Sequence, residues 1–227
     1  MNFFGHAALA ARHLRASEAA LGCDVVEASA GAMLPDFSGM LRLEKPRRVG
    51  AAFARGIAFH HRTDRAFHAL AAFHDSSRAA VAWLVDRGLG RGPARAVAHI
   101  GIELLLDEVL AHEEEHRAAY RRALAWPWHQ SLEFIQPESG KKLAELCARL
   151  LQHAEEFAPP APSVLAARLC RILDARPRLA PGESGRPVIE RWIAHTRPLL
   201  HCAAPALLSA LSSQLEEAPV GANERFG

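Results

Sequence analysis

Three residues on one predicted helix have the spacing a metal site needs. In Gly56-Ile-Ala-Phe-His60-His61-Arg62-Thr63-Asp64-Arg-Ala-Phe-His68, His60, Asp64 and His68 recur every fourth position. On a helix this puts neighbouring Cβ atoms about 5–6 Å apart along one face. Imidazole and carboxylate groups one turn apart can grip a divalent cation without bending the backbone. A solvated polar face with His61 and Arg62 at its edge is the bland reading of the same segment.

A second stretch repeats the spacing. His99, Glu103 and Asp107 fall every four residues in His99-Ile-Gly-Ile-Glu103-Leu-Leu-Leu-Asp107-Glu108-Val-Leu110, where apolar residues occupy nearly the whole circumference. A helix apolar all round is buried. Carboxylates there need protonation, an arginine such as Arg62 or Arg95, or a metal. The spacing makes His60, Asp64 and His68, and likewise His99, Glu103 and Asp107, candidate ligands, with His61 beside them, against a solvated face or an arginine pair.

A competing pattern is His112-Glu113-Glu114-Glu115-His116, which fits the H-E-x-x-H helix of zinc peptidases. Arg117, Arg121 and Arg122 follow it, so a charged, solvated helix end explains the segment as well. Its Glu113-x-x-His116 is half of a di-iron pair, and no second copy exists. The glycines between Gly88 and Gly92 lack the Lys-Ser/Thr of a P-loop and read as a turn.

The elements that must position these groups are helical. The chain has 227 residues, 50% of them apolar, and alanine and leucine recur at helical spacing with little β-branched alternation. Helices are expected over 2–21, 48–72, from a cap at Asp75-Ser76-Ser77 to Gly88, 93–124, 139–157, 163–175 and 187–213. The segment Gly31-Ala-Met-Leu-Pro-Asp-Phe-Ser-Gly39 reads as a short buried turn. The expectation is an all-α single domain of about seven helices over 1–216, followed by a frayed tail over 217–227.

Composition excludes several classes. Net charge is +2 and the charged fraction 23%, which does not suit a disordered or polyanion-binding chain. Aromatics are 7% with a single tyrosine, so stacking-based nucleic-acid recognition is not indicated. Cys23, Cys147, Cys170 and Cys202 are far apart, neither a zinc ribbon nor a disulfide framework. With no signal-like start and no membrane-spanning apolar run, a cytoplasmic location is expected. Histidine, at 13 residues, is the unusual number.

Five short segments in order resemble the acyl carrier protein phosphodiesterase family. They are Met1-Asn2-Phe3-Phe4-Gly5-His6-Ala-Ala-Leu9-Ala10, Gly31-Ala-Met-Leu-Pro-Asp36-Phe37, Gly56 through Asp64, Glu103 through Ala111, and Arg176-Pro-Arg-Leu-Ala180. The match spans roughly residues 1–180. It implies an all-α, HD-domain-like metallohydrolase that releases 4′-phosphopantetheine from holo-acyl carrier protein, with His6, Asp36, His60, Asp64 and Asp107 around a divalent ion. Glu103 stands where the family has Asp, Glu108 where it has His, and Phe67-His68 where it has Thr-Asp; Glu and His can still ligate.

The reaction expected is metal-assisted hydrolysis of a phosphodiester. Arg62 would neutralise the phosphate, Asp64 would orient or deprotonate water, and Asp107 would act beside it. Mn, Zn, Mg and Fe are equally compatible, and the partner is acyl carrier protein or a small phosphate-bearing molecule. The Gly31–Asp36 segment with the His60/Asp64 and His99/Glu103 pairs is also similar to zinc-dependent phospholipase C and its nuclease relatives. A non-catalytic helical binding domain and the H-E-x-x-H peptidase are the remaining alternatives.

Overall fold

The computed structural model describes residues 1–18, 24–154 and 158–217. Cys23 and residues 218–227 of the expected tail lie outside them. The described residues are all-α, with ten helices and one two-residue strand pair. In chain order these are α1 (Phe3–Glu18), α2 (Val25–Leu41), β1 (Arg48–Val49), α3 (Ala51–Ala69), α4 (Ala71–Asp86), α5 (Arg91–Leu110), α6 (Glu114–Leu124), α7 (Trp128–Ser131), β2 (Leu132–Glu133), α8 (Pro137–Gln152), α9 (Pro162–Asp174) and α10 (Gly185–Glu217).

Three local expectations are corrected. Residues 31–39 are not a turn but the second half of α2. That helix starts at Asp24, whose carboxylate accepts from the Val26 and Glu27 amides, and it carries Pro35 internally. A proline inside a helix costs a hydrogen bond; here burial of Ala28 through Leu34 and of Phe37 offsets it. Asp75-Ser76-Ser77 lies inside α4, because the chain breaks earlier, at Leu70 in extended conformation. The expected helix over 93–124 is two helices, interrupted at residues 111–113.

The chain divides into two compact units, Met1–His61 with Leu106–Pro159, and Arg62–Leu105 with Pro160–Gly227; α3 and α5 pass from one to the other. In the first unit α1 packs on α2 and α6, and α2 on α6 and α8. Its core is aromatic: Phe3 meets Phe37 at 5.2 Å, Phe4 meets Tyr120 at 5.0 Å and Phe53 meets Trp128 at 5.3 Å between ring centroids. β1 and β2 pair antiparallel, Arg48 opposite Glu133 and Val49 opposite Leu132.

Two glycines set the α2–α3 approach. A Cβ on Gly31 would sit 2.1 Å from the Phe53 carbonyl oxygen, and one on Gly56 would sit 1.9 Å from that of Ala28. Backbone therefore meets backbone at both points, at a distance open only to glycine. In the second unit α10 packs on α9 and α4. Trp192 is fully buried there, and its ring fills the space a side chain on Gly101 would need.

Candidate metal centre

His6, Asp36 and His60 converge in the first unit. They come from α1, α2 and α3, and one donor atom from each lies within 4.8 Å of the others. Ligands on a tetrahedral ion with bonds of about 2.1 Å stand about 3.4 Å apart, so the three donors would have to draw together on binding a cation. His6 is fully buried and His60 is 6% exposed. Their rings lie 3.9 Å apart between centroids.

The ring of the second histidine is oriented by backbone. His60 Nδ1 is 2.9 Å from the carbonyl oxygen of Ala32. A carbonyl only accepts, so Nδ1 carries the proton and, in the neutral ring, Nε2 keeps its lone pair for a cation. Ala32 belongs to α2, one turn before Asp36. The same helix thus supplies one candidate ligand and orients another, across the contact that Gly31 and Gly56 make close.

Asp107 lies in the same unit but has a different partner. Its Oδ1 accepts from the Gly5 amide at 3.1 Å, in the first turn of α1, where amides lack helical partners and the helix dipole favours negative charge. The residue caps the helix that carries His6. It is buried, as is Glu108, and Asp107 is not among the three whose donor atoms group together.

The remaining candidates lie in the second unit. His68 Nε2 and His99 Nε2 are each 3.2 Å from Glu103 Oε1, and His68 Nδ1 is 3.5 Å from Asp64 Oδ2. Donor atoms of His68, His99 and Glu103 also lie within 4.8 Å of one another. Hydrogen bonds donated to Asp64 and then to Glu103 push the His68 imidazole up to about 9. Burial would raise the Glu103 carboxyl, but the bonds from His68 and His99 outweigh it and hold it far below the usual carboxylate range. The expected single cluster is therefore two groups with no residue in common.

Arg62 lies two positions from both His60 and Asp64 on α3, off the stripe they share. Its guanidinium is lowered by burial. His61 is exposed, its ring perpendicular to that of His60 at 5.2 Å.

His112, Glu113 and His116 do not share a helix. His112 is exposed in the interruption after α5, Glu113 is the cap residue of α6, and His116 is buried inside α6. His116 Nδ1 is 2.8 Å from the Leu110 carbonyl oxygen. Arg117 donates to the carbonyls of Ala111 and His112. These two side chains satisfy the carbonyls at the end of α5, which a zinc helix would leave to helical hydrogen bonds.

The oriented carbonyl of Ala32 and the glycine contact were not legible as site features. The only signal was glycine at positions 31 and 56, inside segments otherwise suited to helix. Comparison of the chain with protein-family models, curated proteins and solved structures finds no match. No helix among the described residues is long and apolar enough to cross a membrane.

Proposed function

We propose that the chain is a divalent-metal-dependent phosphodiester hydrolase whose metal centre is His6, Asp36 and His60. The observation that carries this reading is the convergence of three ligand-type side chains from three helices at a buried point, one of them already in the ligating tautomer. Two histidines and one carboxylate fit a borderline cation such as Zn or Mn. A cation bound there supplies the acidity that turns water into a nucleophile at neutral pH and polarises a phosphoryl oxygen.

The protein's own contribution is positional. Ala32 aims the His60 ring, Asp107 fixes the α1 terminus next to His6, and the Gly31 and Gly56 contacts hold α2 against α3. The order of the five sequence segments supports an HD-domain-like relative of acyl carrier protein phosphodiesterase, with holo-acyl carrier protein as the first substrate to try. Arg62 and Asp64 belong to the second unit and are given no role at this centre. Cys147, Cys170 and Cys202 are free thiols, which supports a reducing, cytoplasmic setting.

Elemental analysis of protein purified without chelator, followed by assays on bis-p-nitrophenyl phosphate and holo-acyl carrier protein, tests the reading. A bound divalent ion and metal-dependent turnover are expected, and Asp36→Asn should lose the turnover together with the ion held at this centre. Metal binding without turnover of any phosphodiester would leave a metal-stabilised binding domain instead. Absence of the ion even after adding Mn or Zn would overturn the metal centre itself.

A further inference from the structure

We propose that the second unit carries a cation site of its own, formed by His68 Nε2, His99 Nε2 and Glu103 Oε1, with zinc as the ion it best fits. The side chains now meet as hydrogen-bonded ion pairs, and their distances also suit a coordination sphere. Ligands on a tetrahedral ion with bonds of about 2.0–2.1 Å stand about 3.3–3.4 Å apart, and both imidazole nitrogens are 3.2 Å from the Glu103 oxygen. Two imidazoles and one carboxylate match the donor preference of zinc rather than of calcium or magnesium.

A second observation points the same way. Asp64 Oδ2 faces His68 Nδ1 at 3.5 Å, so the carboxylate orients the ring with Nε2 turned toward Glu103. A carboxylate behind a ligating imidazole is the usual outer support of a zinc site, fixing the tautomer and raising ligand basicity. The ring centroids of His68 and His99 are 4.7 Å apart. Side-chain exposure is 12% for Glu103, 30% for His68 and 48% for His99. The three donors thus form a cup, its base buried and its mouth open to solvent, and the fourth position of the ion is left for water.

Helix periodicity explains how the cup is built. His99 and Glu103 are one turn apart on α5, and Asp64 and His68 one turn apart on α3. Each helix supplies a pair that needs no backbone distortion, and Phe73 from α4 packs against both imidazoles, at 5.0 Å from His68 and 5.7 Å from His99. An ordered apolar wall of this kind restricts the rotamers of the two rings before any ion arrives.

The test is a zinc titration of the metal-stripped full chain by calorimetry, repeated with cobalt(II) to read coordination geometry from its visible spectrum. Wild type should take up two ions. His99→Ala and Glu103→Gln should each lose one, with at least a ~100-fold weaker second association, beyond the 10–100-fold typical of changes to supporting residues. His99 is half-exposed, so His99→Ala tests the site without disturbing the buried Glu103 position. Asp36→Asn should remove the other ion and leave this one, with a tetrahedral cobalt spectrum retained. Unchanged stoichiometry in both His99→Ala and Glu103→Gln would overturn the second site whatever the first does. Loss of an ion in these variants but none in Asp36→Asn would overturn the first reading and leave this one standing.

Discussion

His60 donates its Nδ1 proton to the carbonyl of Ala32 across 2.9 Å, and this fixes which nitrogen is left to face His6 and Asp36. The arrangement predicts that the ring, not only its position, matters. His60→Gln should lower zinc or manganese affinity by more than the 10–100-fold seen when only a supporting residue is changed, with helical content retained in circular dichroism. In wild type, ion at 100 times its dissociation constant should stabilise the fold by about 2.7 kcal/mol, read as a melting temperature that falls on chelation. Chelation is expected to lower the melting temperature of wild type by more than that of His60→Gln.

The glycine contacts give a stability prediction. At Gly31 and Gly56 the obstructing atoms are backbone carbonyls, which cannot swing aside as a side chain can. Gly31→Ala and Gly56→Ala should each cost at least the ~1–3 kcal/mol of ordinary overpacking. They should also weaken metal binding by shifting α2 relative to α3. Because both act on one interface, the double variant should cost less than the sum, measurable in urea denaturation.

Asp107 separates capping from ligation. Asp107→Ala leaves the buried Gly5 amide without its acceptor and should cost about 1–3 kcal/mol. Asp107→Asn keeps an acceptor oxygen and should recover most of that stability. Equal stability of the alanine and asparagine variants would show that the Gly5 bond contributes little.

The buried thiol predicts a pH dependence. Burial pushes Cys147 up from 9.0 to about 12, so the unfolded chain releases this proton first. Its contribution is full below about pH 9 and is lost as pH rises from there toward 12. Urea midpoints of wild type should fall more steeply over that range than those of Cys147→Ala. A thiol reagent at pH 8 should modify the exposed Cys202 quickly and reach Cys147 only on unfolding.

Glu113 is expected to be silent in catalysis. It is an exposed cap residue, with His112 outside the helix that holds His116. Glu113→Ala should leave metal content and phosphodiester turnover unchanged. His116→Ala should instead destabilise the α5–α6 corner, by leaving the Leu110 carbonyl only its longer bond from the Glu113 amide.

How far the sequence could be read depended on the range of the interactions involved. Helical character follows from residue spacing and propensity, which act within a few residues, and the all-α reading rested on that alone. The same locality explains the pairs on α3 and α5: His60, Asp64 and His68, or His99 and Glu103, share a face because a helix repeats every 3.6 residues. The failures are also physical. Residues 31–39 have the local marks of a turn, yet burial of the α2 face keeps Pro35 in a helix. The interruption at 111–113 is stabilised by the His116 and Arg117 caps, contacts a periodicity argument does not contain.

By itself, then, the sequence determined which residues can ligate and, on α3 and α5, which of them share a helix face. Only the tertiary structure decided the grouping, joining His6 and Asp36 to His60 and leaving His68 with His99 and Glu103. The reason is that spacing along a helix fixes a direction around one axis, whereas coordination needs donors from different helices to meet. Where they meet is set by packing, here by two glycines that let α2 and α3 touch backbone to backbone and by the carbonyl of Ala32 that turns His60 toward its partners.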